Sequence, residues 1–531
     1  MSVAYKSTGK STGAFAPLRQ PVFAVLWAAT VLGNTGSFMR DVASSWLMTD
    51  LSGSPAAVAM VQAAATLPIF LLAIPAGVLT DILDRRKLLI FIQLLLASVS
   101  LALVVLSANG LMSVEWLIGL TFVGGIGAAL MGPTWQAIVP ELVQKPDVKN
   151  AIALNSLGIN IARSIGPAAG GMLLASFGAA LTYGADVATY GFVIAALLWW
   201  KRPKTEASDL KESFSGAFRA GMRYVKASRE LHRVLMRAAI FFAFASSVWA
   251  LLPLVAKTLL KGDAAFYGLL LGAVGAGAIG GALLLPRLRQ RLNADGLMLM
   301  AAIVTALAMT VLAASPPKVV AVIILLFMGA AWIIALTTLN GTAQSVLPNW
   351  VRGRALAVYL TVFNGAMTAG SLGWGAVAQV TNVATTLLIA AAGLFLAGLI
   401  FHRFKLPVGE ADLTPSVHWP EPVRLEAADH DRGPVLILID YKIRREDRPA
   451  FLAALKELSF ERLRDGAYSW GVSEDSDDAE RITEWFMVES WAEHLRQHQR
   501  VSKADADLQA GVLRFHTGPN RPVVRHLLAL S

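Results

Sequence analysis

Residues 77–87, Gly-Val-Leu-Thr-Asp-Ile-Leu-Asp-Arg-Arg-Lys, close one long apolar run, 55–80, and lead into another, 88–108. A helix that crosses a lipid bilayer needs about 20 mainly apolar residues, and both runs reach this length. Backbone polar groups in lipid must be satisfied within the segment, so such runs predict helices. The stretch therefore predicts a membrane-spanning helical hairpin whose charged turn lies on one side of the membrane.

The same pattern recurs along most of the chain. Of its 531 residues, 55% are hydrophobic and 15% are charged, whereas a soluble protein has about 25% charged residues. We predict an all-α membrane protein with twelve transmembrane helices in two six-helix halves, followed by a small α+β soluble domain. The predicted spans are 21–48, 55–80, 88–108, 114–140, 149–177, 180–200, 234–258, 264–286, 296–314, 319–345, 355–380 and 383–404.

Lys and Arg residues alternate between the two sides of this arrangement. The N-terminal tail and every second loop after it are basic, while the opposite loops hold only Lys257, Lys261 and Lys318. The positive-inside rule then places both termini in the cytoplasm and the chain in the inner (plasma) membrane. This topology explains the net charge of +10, and no basic stripe with interleaved aromatics indicates nucleic-acid binding. We expect no removable signal peptide, and a chain without cysteine has no disulfide or thiolate metal site.

Small and polar residues repeat between the halves at a fixed offset of 204 residues. The matching pairs are Gly77 and Gly281, Asn160 and Asn364, Gly166 and Gly370, and Gly171 and Gly375. Parallel repeats of this kind place a substrate path between the halves. The predicted organisation is an N-terminal tail (1–20), a first half (21–200), a cytoplasmic loop (201–233), a second half (234–404), a linker (405–432) and a soluble ferredoxin-like domain (433–531).

The stretch from Gly77 to Lys87 resembles the signature between helices two and three of the major facilitator superfamily. That resemblance implies that Asp81 is a latch, which holds the cytoplasmic side closed near the start of helix eleven, at 352–355. Gly77 would permit close helix contact. Ile82 and Asp84 depart from the general pattern, whereas Asp84, Arg85 and Arg86 are similar to the enterobactin-exporter-like branch. Alternatively, the basic residues are only topology signals.

One face of the fifth span combines polar and small residues. Ser156, Asn160, Arg163, Pro167 and Gly170 recur at i, i+4, i+7, i+11 and i+14. The Gly166-Pro167 and Gly170-Gly171 pairs resemble the antiporter motif of drug exporters, which implies a bend, close packing and export. Charged residues inside a membrane are functional candidates by default.

Arg163 should face the cavity or an acidic partner, and the candidate partners are Asp41 and Asp186. A structural ion pair and a role in substrate binding or coupling both remain open. Proton-driven transport needs a carboxylate that responds to desolvation and to nearby cations. Asp41 is the first candidate, Asp186 the second and Glu115 the third, although the last two could be solvated helix caps and Asp41 could be neutralised by Arg40.

Other polar residues within the spans either line the cavity or join helices by hydrogen bonds. The cavity candidates besides Arg163 are Gln136, Asn155, Asn160 and Asn364. In the loop 201–233, Phe214, Phe218, Met222 and Val225 recur at helical spacing among basic residues. This pattern predicts an amphipathic helix, either on the inner leaflet or packed on the bundle.

The tail after the linker has the predicted order βαββαβ, which is typical of a ferredoxin-like sandwich. Residues 485–495 resemble antibiotic-biosynthesis-monooxygenase-like domains, which pair into dimeric barrels. His494, His498 and Trp485 are the only hints of catalysis, and three His residues including His516 lack the spacing of a metal site. We therefore expect no metal and no cofactor, and a dimerising or regulatory domain rather than an enzyme.

The chain has no P-loop for ATP hydrolysis. The residues and the resemblance together predict a secondary active transporter that exports a small amphipathic molecule, of the drug or siderophore class, by alternating access driven by protons. Two alternatives remain: an importer or facilitator of the same fold, and a membrane anchor for a catalytic or sensing tail. The expected partners are a small-molecule substrate, protons, the lipid bilayer and a second copy of the chain through the C-terminal domain.

Overall fold

The computed structural model describes residues 13, 15–201, 222–348, 351–407 and 432–529. The chain forms two compact units. The first comprises Met1–Ala207, Arg237–Leu339 and Leu360–Lys405, and the second comprises Ser208–Met236, Asn340–Tyr359 and Leu406–Ser531.

Eleven helices in the described part of the chain are long and apolar enough to cross a membrane. Most of them begin after a residue whose side chain accepts a hydrogen bond from the first turn, which satisfies backbone donors that a helix start otherwise leaves free. The helices are α1 (Pro21–Leu51), α2 (Pro55–Ile82), α3 (Arg85–Ala108), α4 (Val114–Ile138), α5 (Val148–Trp199), α6 (Arg229–Leu254), α7 (Ala264–Arg289), α8 (Ala294–Ala313), α9 (Lys318–Ser345), α10 (Arg352–Val380) and α11 (Val383–His402).

Helix α5 contains both the fifth and the sixth predicted spans. Its 52 residues are interrupted at Gly178, which has the positive φ of 81° and ψ of 177°. A non-glycine residue rarely adopts this backbone conformation. The pieces 148–177 and 179–199 are each long enough to cross a bilayer, so the break divides α5 where the sequence predicts the turn between two spans.

The two halves of the bundle meet at the helix ends remote from the basic loops. Lys257 after α6 bonds to Thr49 O (2.7 Å) and to the carboxylate of Asp50, both in α1. Nearer mid-depth, the hydroxyls of Thr66 in α2 and Thr368 in α10 are 2.7 Å apart. These contacts hold the first unit together across the repeat.

The soluble part of the second unit contains a four-stranded antiparallel sheet of order β2-β3-β1-β4. This order confirms the predicted ferredoxin-like fold. The chain departs from the predicted order βαββαβ in one place, because two helices stand between β3 and β4, and Ser502 caps the second of them with a capping box. The elements are β1 (Val435–Lys442), α12 (Arg448–Asp465), β2 (Ser469–Glu474), β3 (Arg481–Val488), α13 (Trp491–Arg500), α14 (Lys503–Leu513) and β4 (Val523–Leu528).

The core of this domain lies between the helices and one face of the sheet. Ile437, Phe451, Leu455, Phe486 and Val488 are all buried there. Their alternation along β1 and β3 follows from the two-residue period of a strand. The sheet is therefore covered on one face, and its other face carries the intervening residues.

A charged pair is buried in the same core. Arg462 Nε donates to Glu484 Oε1 at 3.2 Å, and Tyr441 and Trp470 donate to the same carboxylate at 3.1 and 3.0 Å. A buried charge is tolerated only when it is paired and hydrogen-bonded. Glu484 meets both conditions.

Candidate transport site

A charged cluster lies within the first half of the bundle, between α1 and the second piece of α5. Arg40 Nη1 lies 3.6 Å from Asp186 Oδ2, and its Nη2 lies 3.0 Å from Asp41 Oδ1. The Asp186 side chain is 0% exposed, whereas that of Asp41 is 59% exposed. One guanidinium thus joins a buried acid to an accessible one.

Hydroxyl groups surround the buried acid. Ser100 donates to Asp186 Oδ2 at 2.6 Å, and Arg40 Nη1 donates to the Tyr190 hydroxyl at 2.9 Å. Asp186 Oδ1 is buried without a hydrogen-bond partner among the described residues. Gly36 makes room for it, because a Cβ there would lie 2.6 Å from Asp186 Oδ1.

Two expectations about these acids are wrong. Asp186 is not a solvated cap, because it is fully buried and paired. Neither Asp41 nor Asp186 pairs with Arg163 among the described contacts, since both pair with Arg40. The sequence indicated Arg40 only as a residue that could neutralise Asp41. It did not reveal Ser100 and Tyr190, because serine and tyrosine hydroxyls are not distinctive in a sequence. Glu115 is exposed in the first turn of α4, as a cap would be.

The charged turn of residues 77–87 joins neighbouring helices of the first half. Asp84 caps α3 by accepting from Lys87 N at 2.9 Å. Arg85 lies 2.6 Å from Glu141, just after α4, and Arg86 Nε donates to Leu197 O at 2.8 Å near the end of α5. The basic residues are therefore more than topology signals.

Gly77 and Asp81, in the first part of that stretch, belong to the end of α2. Asp81 belongs to α2, but its side chain lies outside the part of the chain that the structure describes. The latch role of Asp81 stays a prediction. The close helix contact expected at Gly77 is wrong for the described residues, because a Cβ there would have none of them within 4 Å.

The glycines of the fifth span pack α5 against two helices. A Cβ on Gly166 would lie 2.7 Å from Phe38 Cβ, and one on Gly170 would lie 2.7 Å from Met39 Cα, both in α1. A Cβ on Gly171 would lie 2.9 Å from Gly268 Cα in α7. Close packing is confirmed. The non-helical residue within α5 is Gly178, and the bend expected at Pro167 stays a prediction.

The polar cavity candidates fall into different surroundings. Asn155 Oδ1 accepts from Trp135 Nε1 at 2.7 Å, which joins α5 to α4. Asn160 and Asn364 occupy matching positions of the repeat and donate to the carbonyls four residues earlier, at 2.9 Å. Asn364 is buried and Gln136 is exposed. Asn155 thus joins helices, while the lining roles of the others stay predictions.

The described end of the central loop contacts the soluble domain within the second unit. Residues 222–227 are helical, and Arg223 lies 2.6 Å from Glu489 and 3.2 Å from Glu493. Tyr224 is buried and donates to Val346 O at 3.1 Å. These contacts favour the packed alternative for this end of the loop, while Phe214 and Phe218 lie outside the described residues.

Two cation–π contacts add to the contacts of this end of the loop with the soluble domain. Arg229, at the start of α6, lies 3.7 Å above the ring of Phe460 and 3.6 Å from Glu457, both in α12. The Arg464 guanidinium lies 5.6 Å from the ring of Tyr224. We call Arg223, Tyr224 and Arg229 together the docking segment.

Three histidines of the soluble domain come together beside Trp491. The Nε2 atoms of His494 and His498 are 3.2 Å apart, and the rings of His494 and His526 have centroids 4.7 Å apart. Burial, and then the neighbouring His498 and His526, lower the pKa of His494 to about 3. His494 is therefore a neutral residue packed within this group, and His526 is the member that the sequence did not reveal.

Trp485, the third hint of catalysis, lies on the opposite face of β3. It packs over Gly471 of β2, where a Cβ would lie 2.5 Å from Trp485 Cε2. The three residues that suggested catalysis thus do not form one site.

A family model described as a transmembrane secretion effector matches residues 12–531. The chain belongs to this family. The match extends past the last membrane helix and through the soluble domain, so the family pattern includes both parts of this secretion-effector protein.

Known transporters match this chain at low identity. The chain is 22% identical over 383 residues to the staphyloferrin A transporter of Staphylococcus aureus, covering 71% of this chain and 96% of that protein. It is 25% identical over 396 residues to the multidrug efflux pump Tap of Mycolicibacterium fortuitum, covering 72% and 95%. It is 28% identical over 331 residues to the enterobactin exporter EntS of Salmonella typhimurium, covering 61% and 78%.

Solved transporters share its fold. The nucleoside transporter NupG superposes with a TM-score of 0.63 at 12% identity, over 72% of this chain and 100% of that one. A D-xylose–proton symporter gives 0.56 at 16% identity, over 74% and 99%. The predicted resemblance to the exporter branch of the major facilitator superfamily is confirmed, and the protein is a multi-pass secondary transporter.

Proposed function

We propose that this secretion-effector protein exports a small amphipathic molecule of the drug or siderophore class by alternating access. Three relatives, a staphyloferrin A transporter, an enterobactin exporter and a multidrug efflux pump, support this class. The parallel repeat supports a substrate path between the halves.

We further propose that protons drive the export through the Arg40 cluster. The observation that carries this proposal is the buried Asp186, held 3.6 Å from Arg40 while Arg40 also binds the accessible Asp41. Protonation of Asp186 removes its negative charge from Arg40 and weakens the contact between α1 and α5, whereas protonation of Asp41, in α1 itself, leaves Arg40 to Asp186 alone. A proton taken up at Asp41 from solvent would thus alter the packing at Asp186, and packed helices shift between discrete arrangements.

The test uses purified protein in vesicles with an imposed proton gradient. Asp186→Asn and Asp41→Asn should each abolish gradient-driven accumulation while leaving exchange of substrate down its own gradient. Glu115→Gln is the matched control, because Glu115 is exposed at the start of α4, and it should transport normally. Normal gradient-driven accumulation by both aspartate variants would overturn proton coupling through this cluster.

The direction of transport and the location are part of the same proposal. The basic loops support cytoplasmic termini and the inner membrane. Inside-out and right-side-out vesicles should show net movement from the cytoplasmic side outward. Net inward movement would establish the importer alternative instead.

We retain Asp81 as the proposed cytoplasmic latch. Its position in the last turn of α2, shortly before Arg85 in the sequence, supports this role. Asp81→Asn should lower export severalfold without lowering the amount of folded protein, whereas Glu141→Gln should act mainly on stability. Normal export by Asp81→Asn would contradict the latch.

For the soluble domain we propose a regulatory role exerted through the docking segment. The domain contacts Arg223, which precedes α6, and Arg229, which is the first residue of α6. Helix α6 is the first helix of the second half. A domain held there can bias the movement of that helix. Removal of residues 432–531 should change the transport rate at unchanged folding, and an unchanged rate would reject regulation.

We also propose that the domain pairs with a second copy through its uncovered sheet face. Val523 and Leu527 on this face of β4 are 59% and 48% exposed. Leu527→Asp should convert a dimer into a monomer in light scattering on the full chain in detergent. A wild-type monomer would reject this proposal and leave the regulatory role intact.

A further inference from the structure

Arg163 lies at mid-depth in the membrane part of α5. The first piece of α5 runs over residues 148–177, so Arg163 is about 22 Å from either end at 1.5 Å per residue. Its guanidinium is half-buried and lies 6.0 Å from the centroid of the Phe38 ring. A cation at this depth is costly and needs a compensating partner.

The described residues supply no acid to Arg163. The two acids that sequence reasoning offered, Asp41 and Asp186, both bind Arg40. A structural ion pair, one of the two roles left open for Arg163, is therefore excluded for these acids. The other role left open, in substrate binding or coupling, requires contact with a molecule or ion that enters the bundle.

The position of Arg163 fits such a contact because its backbone lies at the interface of the two halves. A Cβ on Gly275 of α7 would lie 2.9 Å from Arg163 O and 2.8 Å from Ser164 Cα. In a parallel repeat the substrate path follows this interface. Asn160 lies one turn away on the same face of α5.

We propose that Arg163 binds an oxyanion of the transported molecule, so that the substrate carries a carboxylate or a comparable anionic oxygen group. A guanidinium presents a planar fork of donors that matches a carboxylate with two parallel hydrogen bonds. This inference rests on the drug and siderophore class proposed above. Within that class, the Arg163 guanidinium favours binding of anionic molecules and disfavours binding of cationic ones.

The test measures equilibrium binding without any gradient, so its result is independent of proton coupling and of transport direction. Full-length protein in detergent is titrated with three oxyanions, namely citrate, 2,3-dihydroxybenzoate and carboxyfluorescein. The comparison ligands are the methyl esters of each and the cation ethidium. Binding is followed by the rise in melting temperature.

At least one oxyanion should bind to the wild-type protein, and its methyl ester and ethidium should bind at least tenfold more weakly. Arg163→Gln should weaken binding of that oxyanion about tenfold or more, as expected for loss of a charged hydrogen-bonding group. Arg163→Lys should bind with intermediate affinity, because it keeps the charge but loses the fork.

Arg237 provides the matched control. It is another arginine of the membrane part, but it is paired with Asp295 at 3.2 Å. Arg237→Lys should leave oxyanion affinity unchanged. Three results would overturn the proposal: wild-type protein that binds none of the oxyanions, equal affinity for an oxyanion and its ester, or undiminished oxyanion binding by folded Arg163→Gln and Arg163→Lys.

Discussion

At the scale of single residues, burial decides what a charge does in this protein. Glu484 is fully buried with Arg462, while Glu474 forms an exposed pair with Arg448. Glu484→Gln should destabilise the soluble domain by about 3–5 kcal/mol, because it leaves the Arg462 guanidinium buried without its carboxylate. Glu474→Gln, at the exposed pair, should cost less than about 1 kcal/mol.

Because the sequence contains no cysteine, one introduced thiol can report the difference in stability between these two variants without background labelling. A single Ser459→Cys substitution places a thiol at a buried position of α12, and its labelling rate reports opening of the domain. Glu484→Gln should accelerate labelling roughly hundredfold or more. Equal labelling rates in the two Gln variants would show that the buried pair adds nothing to stability.

His494 makes the same domain sensitive to acid. Its pKa is lowered to about 3 by burial, so between this value and about 6.5 the unfolded chain binds more protons than the folded one. The stabilising effect of neutral His494 is complete above about pH 6.5 and is lost as the pH falls towards 3. At pH 5.5 the loss should be about 1.4 kcal/mol, or tenfold in the opening equilibrium.

The same thiol measures this effect at pH 7.5 and 5.5, with each rate divided by that of the unfolded chain at the same pH. His494→Gln should remove most of the tenfold change. His516→Gln, at a half-buried histidine of the same domain, should retain it. A pH response that is unaltered in His494→Gln would assign the acid sensitivity to other groups.

At the scale of helices, the spacing between backbones is set by glycine. Gly268 of α7 faces Gly171 of α5 so closely that a Cβ on Gly268 would lie 2.8 Å from Gly171 Cα. Gly268→Leu should therefore separate the helices and cost about 1–3 kcal/mol. The expected result is a lower melting temperature in detergent and slower transport.

Gly280 is the control on the same helix, because a Cβ there would have no described heavy atom within 4 Å. Gly280→Leu should leave both the melting temperature and the transport rate close to those of the wild type. Similar losses in the two variants would mean that helix propensity, rather than the contact between α5 and α7, explains the result.

At the scale of the whole molecule, the docking segment links the soluble domain to the chain that leads into the second half. Arg223 lies between Glu489 and Glu493, so Arg223→Glu places three negative charges together. This variant should release the domain, seen as faster hydrogen exchange over residues 222–227. Combination with Glu489→Arg should restore protection, with a coupling energy of about 0.5–3 kcal/mol.

Lys226→Glu is the control for net charge, since it changes the charge equally within the same helical turn. It should leave the exchange of residues 222–227 nearly unchanged. Absence of rescue in the Arg223→Glu, Glu489→Arg double variant would show that the pair does not hold the domain in solution.

The sequence by itself determined the helical membrane class, the long apolar helices of the described residues and the ferredoxin-like tail. Apolar length, alternation of basic loops and strand periodicity are local properties of the chain, and each has one dominant structural solution. The close approach of α5 to its neighbours was likewise visible in its glycines.

Only the tertiary structure decided which charges pair. Asp186 is far from Arg40 along the chain, and whether Arg40 or Arg163 binds this buried acid depends on how α1 and α5 rotate against each other. The histidine group has the same origin, because His526 on β4 reaches His494 on α13 only after the sheet forms. A side chain's partner across two elements is set by packing, which no local pattern encodes.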